Sequence, residues 1–299
     1  MQKISIIVPC YNEEDVLQLF DQEIHKVVIE KIKNEFEYEI LFINDGSNDK
    51  TLEILKKLKE KDEKIRIISF SRNFGKEAAM YAGLENCQGD LIIIMDADLQ
   101  HPPEKILEMI EGIKEGFDVV TTVRKDRKGE SKIRSFFSRL FYKLMQGSTK
   151  IEIKQGAQDF RMMKREVVDS ILKLEEYNRF SKGIFSWVGF DVKYIEITNK
   201  ERAAGKTKWN FWSLFQYAKE GIISFSTKPL KISIIFGLII SLIATILGIQ
   251  ILIQTLVIGK EVPGYASIII SVLFIRRSTT NFLRYTFRIY SKNVHGDKR

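Results

Sequence analysis

The chain has 299 residues and carries 47 Lys+Arg against 39 Asp+Glu, a net charge of +8. That length accommodates one large α/β domain plus further elements. The charge suits a membrane surface, nucleic acid or a polyphosphate substrate without choosing among them. Its two cysteines, Cys10 and Cys87, fall in no Cys/His spacing, which excludes a disulfide framework and a zinc site.

In chain order, short apolar runs alternate with longer helical patterns. Ile4–Val8, Glu39–Ile43, Ile65–Ser69, Leu91–Met95 and Asp118–Thr122 read as strands. Ile4–Val8 runs straight into Pro9 and is too short for a signal peptide, so the bulk of the chain is expected in the cytosol. Glu14–Ile32, Lys50–Lys61, Lys76–Glu85 and Pro103–Glu115 read as helices. This alternation predicts an α/β fold with a mostly parallel, doubly wound sheet.

Each predicted strand runs into a polar cluster. The first leads to Pro9-Cys10-Tyr11-Asn12-Glu13-Glu14, the second to Asn44-Asp45-Gly46-Ser47 and the third to Ser71-Arg72-Asn73-Phe74-Gly75-Lys76. The fourth leads to Asp96-Ala97-Asp98-Leu99-Gln100 and the fifth to Arg124. Any one cluster is ordinary turn chemistry. Five at the carboxyl edge of one sheet describe a nucleotide site, because open α/β sheets bind ligands there. Asp96 and Asp98 are hard oxygen donors spaced to grip one Mg2+ or Mn2+ while leaving coordination positions for a diphosphate, and Gln100 adds a neutral oxygen. There is no GxGxxG and no GxxxxGK[ST], so phosphate must be held by the metal and by side chains. His101, before Pro102-Pro103, reads as a turn residue rather than an acid or base.

Beyond residue 130 the texture changes. Ile133, Phe136, Phe137, Leu140, Phe141 and Leu144 recur at helical spacing among Lys132, Arg134, Arg139 and Lys143. Such a basic amphipathic helix either lies in a membrane interface or packs on the domain's own core. Trp209–Phe225 is aromatic-rich. It precedes Ile232–Ile258, 27 residues without a charge, where about 20 suffice to cross a bilayer. Lys228 and Lys231 in front of that run predict a cytoplasmic N-terminal domain. The expected division is a catalytic domain over 1–225 and a membrane region over 226–299, with one span at 232–258 and an atypical second at 262–283. Pro263, Gly264 and Arg276-Arg277 bracket that second run, and an altered reading frame near residue 275 would explain the basic tail.

Taken together, VPCYNEE (8–14), NDGSND (44–49), SRNFGKEAA (71–79), MDADLQHPPE (95–104), VRKDRKGES (123–131), QDFRMMKREVVD (158–169), NRFSKGIFSWVGF (178–190), ERAAGKTKW (201–209) and SFSTKPL (224–230) are far more specific than any one of them. The chain resembles the polyisoprenyl-phosphate glycosyltransferases of glycosyltransferase family 2, such as bactoprenol glucosyltransferases and dolichol-phosphate mannose synthases. The resemblance implies a GT-A (Rossmann-like) catalytic domain followed by membrane helices. It implies that Pro9, Tyr11, Glu13 and Asp45 line the nucleotide, and that Asp96, Ala97 and Asp98 meet the diphosphate and metal with Gln100. Arg124 and Arg134 would hold the acceptor phosphate, while Arg202 and Lys208 would close over the donor.

Asp159 is the candidate base or acceptor-orienting carboxylate, or else a structural partner of Arg161 or another nearby cation. Asn44 replaces the family's usual aspartate without affecting the matching Asp45. The implied reaction transfers a hexose from a nucleotide sugar, UDP-glucose first, to a polyprenyl phosphate at the cytoplasmic face of the cell membrane. The implied partners are the donor, the lipid, the membrane and a second copy of the chain, with no nucleic acid. The alternatives are another donor such as UDP-GlcNAc or GDP-mannose, or an inactive lipid-sugar binding subunit. A processive synthase is disfavoured by the missing QxxRW motif.

Overall fold

A computed structural model of the chain describes residues 1–124, 154, 156–174 and 181–197, with scattered positions between 235 and 283. By internal contacts the chain divides into two units, Met1–Glu175 with Arg179–Ala218, and Glu176–Asn178 with Lys219–Arg299.

The first unit is built on a seven-stranded sheet. In chain order its strands are β1 (Gln2–Cys10), β2 (Phe36–Asn44), β3 (Ile65–Ser69), β4 (Leu91–Ile94), β5 (Val119–Arg124), β6 (Ala157–Lys164) and β7 (Val192–Ile197). They lie in the order β3-β2-β1-β4-β6-β5-β7. Every strand pairing among the described residues is parallel except those of β6, which runs antiparallel to both β4 and β5. The five strands expected from sequence are all present, in a mostly parallel sheet. β6 and β7 are additions that no apolar run announced.

The helices are α1 (Leu17–Ile24), α2 (Thr51–Lys61), α3 (Lys76–Asn86), α4 (Lys105–Lys114), α5 (Arg165–Leu172) and α6 (Ser181–Trp187). Alternation along the strands sorts the core into two layers. Ile4, Ile6 and Val8 of β1, Ile40 and Phe42 of β2, and Phe160 and Met162 of β6 face α1, α2 and α4. Ile7, Leu41, Ile92 and Ile94 are buried on the opposite face, which α3 covers. A Cβ at Gly83 would stand 2.3 Å from Ile7 Cγ2, so glycine lets α3 approach β1 closely.

The first helix departs from expectation. A single helix over 14–32 is replaced by a start at Leu17, a π-helical turn at His25–Ile29 and a final α-helical turn at Glu30–Ile32. The turn before it is already closed by Leu17 N–H on the Glu13 carbonyl at 3.2 Å, and the backbone N–H groups of Asn12, Glu13 and Glu14 ahead of it are taken by Ser47, Thr51 and Asp49 side chains.

In the π-turn, His25 Nε2 meets the Asp62 carboxylate at 3.2 Å and Nδ1 lies 3.3 Å from Asp21 Oδ1. The Asp21 side chain is the main cause raising the imidazole to about 9, against the opposing effect of burial and with Asp62 adding to it. A folded-state value above the usual 6.5 means this stabilisation is complete below about pH 6.5 and is lost as pH rises through about 9. Melting curves across this range should show the wild type losing on the order of 1 kcal/mol more than His25→Gln. Parallel curves for the two proteins would refute it.

In the second unit, the described positions are largely helical and apolar. Ile235, Leu238, Leu242, Ile246, Ile249 and Ile253 are all exposed. Among the described residues no helix is long and apolar enough to cross a membrane. About half of 232–258 and more than half of the run at 262–283 lie outside the described residues, as do the whole amphipathic segment at 131–144 and the aromatic segment at 209–225.

Candidate active site

The site forms where the carboxyl ends of β1, β2, β3 and β4 converge. The loops after β1 and β2 lock together. Asn48 N–H donates to Asn12 Oδ1 at 2.8 Å, Asn12 N–H to Ser47 Oγ at 2.9 Å, and Lys50 N–H to Glu14 Oε2 at 2.9 Å. Asn12 adopts a left-handed φ of 52°, which Asn tolerates better than most residues. Pro9, Tyr11 and Glu13 lie along this edge, each half-buried. Pro9 fits within β1 because pairing with β4 ends at Ile7–Ile94, so no ladder bond from its nitrogen is lost there.

Asp45 is buried, and both its carboxylate oxygens accept backbone N–H groups, from Phe74 at 2.7 Å and Gly75 at 2.9 Å. Burial raises its pKa, and these two bonds oppose the rise. Asp45 therefore anchors the loop after β3 from below. Gly46 completes the arrangement at φ 62°, where a Cβ would lie 2.3 Å from the Arg72 carbonyl carbon. Asn44 is buried as well. Its side-chain amide donates to Ser69 Oγ at 2.9 Å while its Oδ1 accepts Ser47 N–H at 3.2 Å.

β4 delivers the two aspartates. Ala97 is buried between Asp96 and Asp98, which are both partly exposed. Asp98 Oδ1 accepts Gln100 N–H at 3.1 Å, and Leu99 between them takes φ 56°, uncommon for leucine. His101 is buried with its ring stacked on Phe160 at 5.3 Å, so it is a packed residue under the turn.

The antiparallel strand β6 completes the site. Its ladder with β4 ends at Ile94–Arg161, and its register with β5 shifts between Arg161 and Ala157, so Asp159 lies in the irregular stretch just beyond. Asp96 and Asp159 reach the same cation, and two like charges that close repel each other. Between them sits Lys76, the first residue of α3. Its ammonium lies 2.7 Å from Asp96 Oδ1 and 2.8 Å from Asp159 Oδ2. Burial alone would lower the Lys76 pKa, but the Asp159 and Asp96 charges outweigh it and hold the ammonium protonated. The cation that Asp159 partners is thus Lys76. Arg161 donates to the Gln158 and Asp159 carbonyls and lies 3.7 Å from the Phe185 ring centre.

The next residue, Glu77, accepts the Ser181 N–H at 3.1 Å and the Ser181 hydroxyl, tying α6 to the site. Burial first, opposed by the Ser181 bonds and aided by the Asp159 charge, pushes Glu77 up to about 7.

Arg124, at the end of β5, is half-buried, and its N–H donates to the Gly156 carbonyl at 3.1 Å. Arg134, Arg202 and Lys208 lie outside the described residues. A separate cavity of about 250 Å3 sits over β5, β6 and β7, lined by Thr121, Lys154, Arg161, Phe185, Phe190 and Tyr194 among others. Neither Asp96, Asp98 nor Lys76 lines it.

Sequence reasoning assigned no role to Lys76 or Glu77. A signal for Lys76 was available: a lysine in a helix's first turn opposes the helix dipole and calls for an acidic neighbour.

Among the described residues, no group of three or more His, Cys, Asp or Glu is placed to hold a metal ion by itself. Two carboxylates at an open strand end suit Mg2+ or Mn2+ nonetheless, because such ions are commonly held by one or two carboxylates plus substrate phosphates. The ammonium resting on Asp96 shows that this position attracts a cation.

A parallel sheet interrupted by one antiparallel strand, with an Asp-x-Asp turn at its carboxyl edge, is the architecture of a GT-A-like nucleotide-sugar transferase. The Glycosyl transferase family 2 profile matches residues 5–172, and the chain belongs to that family as a glycosyltransferase. CsbB of Bacillus subtilis (strain 168), which bears a glycosyltransferase name, is 46% identical over 91% of this chain and 82% of its own. The bactoprenol glucosyl transferase of Shigella phage SfV is 42% identical over 99% of this chain and 97% of its own. Among solved structures, a glucosyl-3-phosphoglycerate synthase from Mycobacterium tuberculosis, in complex with Mn2+, UDP-glucose and phosphoglyceric acid, aligns with a TM-score of 0.47 at 16% identity, over 74% of this chain and 78% of its own.

Proposed function

We propose that this glycosyltransferase moves a hexose, UDP-glucose being the first donor to test, onto a polyprenyl phosphate such as undecaprenyl phosphate, with inversion at the anomeric carbon. The observation that carries the reading is the cluster at the sheet edge: Asp98 beside Asp96, with Lys76 joining Asp96 to Asp159. It is supported by the near full-length likeness to an enzyme named for bactoprenol glucosylation.

In this reading Pro9, Tyr11 and Glu13 line the nucleotide, and Asp45 shapes the pocket by holding the Phe74–Gly75 backbone. Asp96, Asp98 and Gln100 would hold Mg2+ or Mn2+. When bound, that ion offsets charge on the departing nucleoside diphosphate. A phosphate oxygen of the acceptor, already anionic, attacks the anomeric carbon as the bond to the diphosphate breaks. A strong base is therefore not required, and Asp159 orients the acceptor or takes up a proton. Arg124 and Arg134 would hold the acceptor phosphate through guanidinium forks, and Arg202 and Lys208 would close over the donor.

Residues 1–225 form the catalytic domain on the cytoplasmic side, and 226–299 the membrane region, which also offers a surface for self-association. The exposed apolar residues at helical positions from Ile235 to Ile253 support burial of that region in lipid.

The test is transfer to undecaprenyl phosphate by the full-length protein in detergent. Labelled UDP-glucose, UDP-GlcNAc and GDP-mannose are compared with Mg2+, Mn2+ or chelator. A metal-dependent, mild-acid-labile glycolipid from one donor is expected. Donor binding without any lipid product would instead favour a binding subunit.

A further inference from the structure

Lys76 raises a question that the proposed chemistry leaves open. Asp96, just past the end of β4, and Asp159, on β6, come together at one ammonium, which reaches both within hydrogen-bond distance. Gly75, the residue before α3, has φ 96° and both it and Phe74 donate backbone N–H groups to buried Asp45. The start of α3 is therefore fixed from below, and Lys76 is aimed at the carboxylates by backbone geometry rather than drawn there by chance. A divalent cation arriving with the donor diphosphate needs the same Asp96 oxygens. Each carboxylate oxygen can take a cation, but an ammonium and a divalent ion on Asp96 repel each other across that short distance, so the two compete.

We propose that the Lys76 ammonium is the resident cation of this site: it holds the Asp96 and Asp159 carboxylates together before the metal binds, and loading of metal and donor displaces it from Asp96 while it stays on Asp159. This rests on the reading of Asp96 and Asp98 as metal ligands. Lys76 is thus a positioning residue that offsets the repulsion between two neighbouring carboxylates and makes tight metal binding conditional on the donor. Without donor phosphates, the metal has too few partners to outcompete an ammonium bonded to two carboxylates. With them, the diphosphate oxygens supply the missing ligands.

The experiment measures Mn2+ binding to full-length, detergent-solubilised protein by electron paramagnetic resonance of the free ion, without donor. Lys76→Met should bind Mn2+ about tenfold more tightly than wild type, since it removes the charge that competes with the metal for Asp96. Lys76→Arg, which keeps the charge, should remain near wild type. Without metal, Lys76→Met should melt at a lower temperature than wild type, and added Mn2+ should restore more of the loss. Should the methionine variant not fold, Lys76→Gln is read in the same way.

A residue that merely supports the fold would lower stability without tightening the metal. Equal or weaker Mn2+ binding by the uncharged variants therefore overturns the proposal. Asp96→Asn separates the two layers of the argument. Loss of Mn2+ binding in Asp96→Asn with no gain in Lys76→Met rejects the role of Lys76 alone. Undiminished Mn2+ binding in Asp96→Asn rejects the metal site itself, and the proposal with it.

Discussion

Asp98→Asn is expected to lower kcat/KM for sugar transfer by about a thousandfold while leaving the fold intact, because electrostatic stabilisation of the leaving group is commonly the largest catalytic contribution. The substitution is chosen for what it preserves. Asp98 Oδ1 accepts the Gln100 N–H at 3.1 Å, in a turn whose middle residue, Leu99, takes φ 56°. An asparagine oxygen can accept the same bond, so the turn survives and only the charge and its metal affinity are lost. Alanine would remove both and confuse a collapsed turn with a missing ligand. The check is steady-state transfer alongside Mn2+ binding and thermal melting of the same preparation. Activity within tenfold of wild type, at unchanged melting temperature, would remove Asp98 from the metal site.

Asp159→Asn should lower kcat by about a hundredfold or more, the range typical of a group acting on the proton or orientation of the nucleophile. The donor KM should change little. Asp159 lies on β6, and its carboxylate pairs with the Lys76 ammonium at 2.8 Å. The amide keeps a hydrogen-bond acceptor for the ammonium but not the charge that pairs with it. Kinetics with both substrates varied separate the two roles. A fall in kcat at constant donor KM marks an acceptor-side function. Unchanged kcat with a lower melting temperature would make Asp159 purely a structural partner of Lys76.

These experiments bear on residues of unequal legibility. Asp96 and Asp98 could be read directly, because an apolar run of strand length ending abruptly in two acidic residues needs only local pattern. Asp45 stands out in sequence at the end of β2, but its structural work does not. Its two oxygens are bound to the Phe74 and Gly75 backbone, 29 and 30 residues away in sequence. His101 was expected in a turn, and its stacking on Phe160 gives it a further structural role that no neighbouring residue in sequence could reveal.

The sequence alone determined the five parallel strands, the side of the sheet on which the polar clusters gather, the acidic pair and the family. Each depends on short-range pattern or on ordered motifs, and neither requires knowing which segments meet. The tertiary structure decided what that pattern could not. β6 carries Asp159 and Arg161 on one face and Phe160 and Met162 on the other, so its sequence shows no uninterrupted apolar run. It becomes a strand because β4 and β5 offer it two edges at once, with Ile94 pairing with Arg161 across 67 positions of chain. That pairing carries Asp159 to the carboxyl edge where Asp96 lies, and the close packing of α3 on β1 through Gly83 brings Lys76 within reach of both. Charges compensated across such separations leave no local trace, because the force that joins them acts through space and not along the chain.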